Sequence, residues 1–179
     1  MNEPLVEFVL NGDYRLNGAA CSGNQTARCV DGMVEWNGQR YGELVFEPVD
    51  AENASFTLKA VTIGVSFHWK RQEDQTFKGT LHLIVEDGKL TPVNVLSVED
   101  YLLSVISSEM SAHASLELLK AHAVISRSWL LAQIHTEETV TPTDRHPDAP
   151  GEMMDTPEEL VKWWDRDDHL NFDVCADDH

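Results

Sequence analysis

The sequence predicts an α+β protein, with a β-rich N-terminal half followed by a helical segment. Three observations point there. Before residue 96, short runs rich in Val, Ile, Phe and Thr are punctuated by Asn-Gly and Asp-Gly steps. From Ser97 onward the apolar spacing changes from two to about 3.6 residues. A short break, Ser111–Ser115, then divides the helical stretch in two.

In the first half, Val6, Phe8 and Leu10 alternate with polar neighbours and lead to an expected turn at Asn11-Gly12. Asp31-Gly32, Asn37-Gly38 and Asp87-Gly88 are further hairpin signals. Met33–Trp36, Glu43–Val49, Ser55–Val61, Ile63–Trp69, Thr76–Glu86 and Leu90–Leu96 are the expected strands. His68 and Trp69 fall in one of them, where a packed aromatic on a strand face explains them without a ligand. No internal repeat of fixed period is present.

The first helix has a defined start. Ser97 can cap it, Asp100 occupies the acidic position of a capping box, and Leu96 and Tyr101 are placed as a hydrophobic staple. Tyr101, Leu102, Val105 and Ile106 recur at helical spacing as a core face. Ser107-Ser108-Glu109-Met110 ends the helix, and Ser115 can cap the next. That second helix, Leu116–Ile134, is apolar around much of its circumference, so it is expected to be largely buried. Residues 136–157 read as a loop, rich in Thr, Pro and Asp. Thr156-Pro157-Glu158-Glu159 then reads as the start of a short helix carrying Leu160, Val161, Trp163 and Trp164.

Composition excludes several functions. The 179 residues carry a net charge of −18. Non-specific nucleic-acid binding and attraction to an anionic membrane both need a basic surface. No apolar run approaches the ~18 residues of a membrane-spanning helix, so no membrane insertion of this chain is expected. Residues 1–20 have neither the basic nor the apolar region of a signal peptide. Of three cysteines, Cys21 and Cys29 are near enough in sequence to pair or to remain as thiols, and Cys175 stands apart.

One constellation carries chemistry. Glu109 ends the first helix, while Lys120 and Arg127, seven residues apart, lie almost above one another on the second. The three can share a cleft in which Glu109 acts as general acid or base and the cations hold an anionic or acetamido group. On residue pattern alone, the same residues fit a buried ion-pair network joining two helices better still.

The run VNVLSVEDYLLSVISSEM, followed by SLELLKAHAVISRSWLLAQI, resembles the signature of the SpoIID family, whose domain the amidase-enhancer LytB proteins share. The matching parts are Leu96, Glu99, Tyr101 and Leu102, then Glu109-Met110, then Leu119 to Val124, and Arg127. Phe77-Lys-Gly79-Thr-Leu-His-Leu83 resembles the family's approach strand. The chain departs from the family pattern at Ser111, where Pro is usual, and at Ala114, where Trp is common. It departs again at His122 for Gln and Trp129 for Tyr.

On this resemblance residues 1–75 are a β-rich N-terminal region. Residues 76–179 are a SpoIID-like region, expected to be incomplete at its C-terminal end and so a fragment. The resemblance implies a peptidoglycan lytic transglycosylase of the cell envelope that cleaves between N-acetylmuramic acid and N-acetylglucosamine. Glu109 would be its single catalytic acid/base, and Lys120 and Arg127 its contacts to the glycan strand. The alternative is a non-catalytic glycan-binding module that stimulates a cell-wall amidase. The chemistry requires no cofactor. His169, Cys175 and His179 have separations compatible with a zinc site and resemble a metal site of some members, one that would be structural or beside the substrate.

Overall fold

The computed structural model describes residues 3–63, 70–111, 113–139, 154–155, 160–161 and 171–174. The chain divides into two units, Met1–Ser104 and Val105–His179. Among the described residues it is α+β, with a nine-stranded antiparallel sheet, a two-stranded sheet and two helices.

In the first unit, strand β1 (Leu5–Leu16) is central. It pairs with β2 (Ala19–Val30) along its whole length. On its other side it meets β6 (Ser55–Ile63) through Phe8–Asn11 and β5 (Leu44–Pro48) through Tyr14 and Arg15. Beyond β2 follow β3 (Met33–Trp36) and β4 (Gln39–Tyr41). Beyond β5 follow β8 (Thr80–Glu86) and β9 (Lys89–Val95), while β7 (Arg71–Phe77) borders β6. Glu3, just ahead of β1, exchanges both backbone hydrogen bonds with Leu90 of β9. The circuit β1, β5, β8, β9 is thereby closed.

Alternation supplies the core. Val6, Phe8 and Leu10 of β1 are buried with Leu44, Phe46, Phe56, Leu81, Leu83 and Leu90. Phe8 meets Phe46 edge-on, with ring centroids 5.2 Å apart. Each fully buried side chain of this size stabilises the fold by ~1.5–3 kcal/mol before entropy is charged.

The Asn11-Gly12 step is not a turn, as expected, but a bulge inside β1. Pairing with β2 jumps there from Leu10↔Gly23 to Tyr14↔Cys21. Gly12 adopts φ +115°, and a Cβ there would sit 3.3 Å from the Ala54 side chain. The bulge bends β1 so that it leaves β6 and takes up β5. The turn lies six residues later at Asn17-Gly18, both with positive φ, and produces β2, a strand not expected from its Ser, Gly, Asn and Gln content. The hairpin steps at Asp31, Asn37 and Asp87 do turn, each with the following glycine.

The expected strand Thr76–Glu86 is divided at Gly79, which forms the step between β7 and β8 at φ +93°. Of the expected strand Ile63–Trp69, residues 64–69, with His68 and Trp69, lie outside the described residues. Cys21 and Cys29 are both free thiols on β2. Eight positions along one strand separate them by ~26 Å, far beyond disulfide reach.

Helix α1 (Val98–Glu109) begins at the anticipated cap. The Asp100 backbone N–H donates to the Ser97 hydroxyl at 3.2 Å, and that hydroxyl donates to the Asp100 carboxylate at 2.6 Å. In the second unit, α2 (Leu116–Thr139) starts at Ser115, whose hydroxyl accepts the Leu118 N–H at 3.3 Å. It runs five residues beyond its expected end at Ile134.

The expectation that α2 is largely buried is not met. Among its described side chains, the sheltered ones are Leu119, His122, Ala123, Ser126, Leu130 and Ile134, a stripe at helical spacing. Leu116, Leu118, Val124, Ile125 and Trp129 are exposed. Leu160 and Val161, expected on a helix, instead form a two-residue strand, β11, paired with Met154–Asp155 (β10). Among the described residues no helix is long and apolar enough to cross a membrane.

Candidate functional site

Glu109 is the last residue of α1, and Ser111 anchors the residues ahead of α2. The Ala114 N–H donates to the Ser111 carbonyl at 2.9 Å, and the His113 N–H to the Ser111 hydroxyl at 3.2 Å. The chain then enters α2, and His122, two turns along, meets the end of α1. Its Nε2 lies 2.9 Å from Glu109 Oε2, within hydrogen-bonding distance.

The two partners differ in environment. The Glu109 side chain is 58 % exposed and the His122 side chain 14 %. The ring belongs to the sheltered stripe of α2, whereas the carboxylate reaches solvent. A helix C-terminus disfavours an anion by ~0.3–1 kcal/mol, and ordering a Glu side chain costs up to ~2 kcal/mol. The hydrogen bond to His122 offsets part of both.

Lys120 is engaged elsewhere than at Glu109. Lys120 pairs with Glu117 at 2.9 Å, and both side chains are well exposed. At 100° per residue, Lys120 and Arg127 are ~20° apart around α2, as their spacing requires, but ~140–160° from His122. Glu109 and Lys120 are both exposed, so neither takes part in a buried ion pair between the helices.

His122 is the residue that sequence reasoning left without a role. It was visible only as a departure from the family pattern; its signal was a polar ring on the stripe occupied by Leu119, Ala123 and Ser126. His169, Cys175 and His179 lie outside the described residues. Among the described residues no three side chains gather as a metal site. Two shallow depressions, one lined by Asp13, Cys21, Gln25 and Trp36 and the other by Glu7, Val9, Thr26 and Lys59, lie on the N-terminal sheet and do not include Glu109.

A β-rich unit, two capped helices and a solvent-reaching carboxylate beside a sheltered imidazole make up the candidate site region. The family model for SpoIID, described as stage II sporulation protein, matches residues 86–179, just over half of the chain. The match spans β9, α1 and α2, hence Glu109 and His122. The chain belongs to the SpoIID family, which is linked to cell-wall lytic activity outside the cytoplasm. No curated protein and no solved structure matches it.

Proposed function

We propose that this protein is a peptidoglycan lytic transglycosylase with Glu109 as its single acid/base. The observation that carries the reading is the Glu109 carboxylate itself: within the family-matched region it is exposed to solvent yet held by a sheltered imidazole at 2.9 Å. A proton-transfer group needs both access and a fixed position.

The reaction requires one carboxyl group. Glu109 gives its proton to the glycosidic oxygen as the bond from the muramic C1 to that oxygen breaks. The muramic 6-hydroxyl then attacks C1, and Glu109 takes the hydroxyl proton. The new C1–O6 bond closes a 1,6-anhydro ring, and the carboxyl group is restored. No water is consumed, so the second carboxylate of most glycosidases has no task here.

Lys120 and Arg127 serve this reading as contacts along the outer flank of α2 for a glycan strand, whose lactyl carboxylates suit a cation. The Cys/His end, with His169, Cys175 and His179, is proposed as a zinc site apart from the proton transfer; zinc titration of the chain with a colorimetric chelator tests it.

The function is tested by incubating the protein with glycan strands, intact and stripped of peptide, and determining product ends by mass spectrometry. Anhydromuramic ends are expected. Reducing ends would indicate hydrolysis instead. Stimulation of a cell-wall amidase without any cleavage would favour a glycan-binding module.

A further inference from the structure

His122 carries a feature that the acid–base reading does not use. Its Nδ1 is buried and has no hydrogen-bond partner among the described residues. A buried N–H without an acceptor is rarer and costlier than a bare acceptor nitrogen. The ring proton therefore belongs on Nε2, the nitrogen 2.9 Å from Glu109 Oε2, and the imidazole donates to the carboxylate. The opposite arrangement, with Nε2 accepting from a protonated Glu109, would put the orphaned N–H in the interior.

We infer that His122 is a positioning residue: its Nε2–H fixes the Glu109 carboxylate through Oε2 and leaves the other oxygen to exchange the proton with substrate. This rests on Glu109 being the acid/base. The ring can perform the task because it is set in the sheltered stripe of α2, between Leu119 and Ser126, while Glu109 stands at a helix end with no other side-chain partner among the described residues. Displacing a reacting group by ~1 Å can lower turnover ~100-fold. Loss of the donor should thus act on kcat and leave substrate binding nearly unchanged.

The test compares the parent with His122→Gln, His122→Leu, Glu109→Gln and Glu109→Ala on glycan strands, alongside proton NMR of the parent and Glu109→Ala. Gln can still donate an amide N–H to the carboxylate, whereas Leu fills the space and donates nothing. Expected are a kcat within a few-fold of the parent for His122→Gln, a loss of roughly 10- to 100-fold for His122→Leu, and KM within about two-fold for both. A slowly exchanging imidazole Nε2–H signal is expected in the parent and absent in Glu109→Ala, a readout independent of turnover. Parent-like turnover in His122→Leu, equal losses in the Leu and Gln variants, or an unchanged imidazole signal in Glu109→Ala would each overturn the inference while Glu109 kept its role. Parent-like turnover in Glu109→Gln would remove the acid/base assignment, and this inference with it.

Discussion

Lys120 and His122 stand ~160° apart around α2, so the imidazole is directed to Glu109 and the ammonium to Glu117. The helix separates holding the carboxylate from displaying positive charge.

That separation predicts different kinetic signatures. Lys120→Ala removes an exposed i,i+3 pair worth no more than about 0.5 kcal/mol, so the melting temperature should stay within about 2 °C of the parent. If the outer flank binds glycan, Lys120→Ala and Arg127→Ala raise KM several-fold at constant kcat. Steady-state kinetics on glycan of defined length checks this; a fall in kcat with constant KM would place the cations in the transition state instead.

Gly79 is the most constrained of the described glycines. It holds φ +93°, and a Cβ there would lie 2.5 Å from the Val95 carbonyl oxygen. Neither the backbone conformation nor a backbone atom can yield cheaply. Gly79→Ala should destabilise the first unit by at least ~2 kcal/mol in urea denaturation. Gly18→Ala meets no atom within 4 Å and carries only the φ penalty, so it should cost less.

The Tyr14 hydroxyl is buried in the core and donates to the Gly79 carbonyl at 3.3 Å. Burial pushes its pKa from 10.0 up to about 12. The folded state thus favours the protonated phenol. That contribution is complete below pH 10, the unfolded value, and is lost as pH rises through about 12. Tyr14→Phe should lower stability at neutral pH by ~1 kcal/mol and flatten the alkaline fall between these limits. Urea midpoints measured from pH 8 to 12 report both effects.

Local chemistry in the sequence identified the Ser97–Asp100 cap, the Ser115 cap and the turns at Asp31, Asn37 and Asp87, because each is decided by neighbours within a few residues. Long-range partners decided the rest. Asn11-Gly12 and Asn17-Gly18 are the same dipeptide, but only the first meets Ala54, 42 positions on, and becomes a bulge. Strand β2 has little β propensity of its own and is held by pairing with β1 and β3. The apolar circumference of α2 suggested burial, yet only one stripe of it is sheltered. Glu109, the candidate acid/base, stands in the family signature. Its contact with His122 depends on the path of the Ser111–Ser115 turn, which spacing does not specify.

The central claim is that Glu109 moves the proton, and a single comparison tests it. Parent and Glu109→Gln are incubated with glycan strands, and anhydromuramic ends are quantified by mass spectrometry alongside the melting temperature of each. Because Glu109 is exposed, the two should melt within about 2 °C of one another, and anhydro products should fall by at least ~100-fold in the variant. Anhydro products at the parent's rate from a folded Glu109→Gln protein would contradict the account.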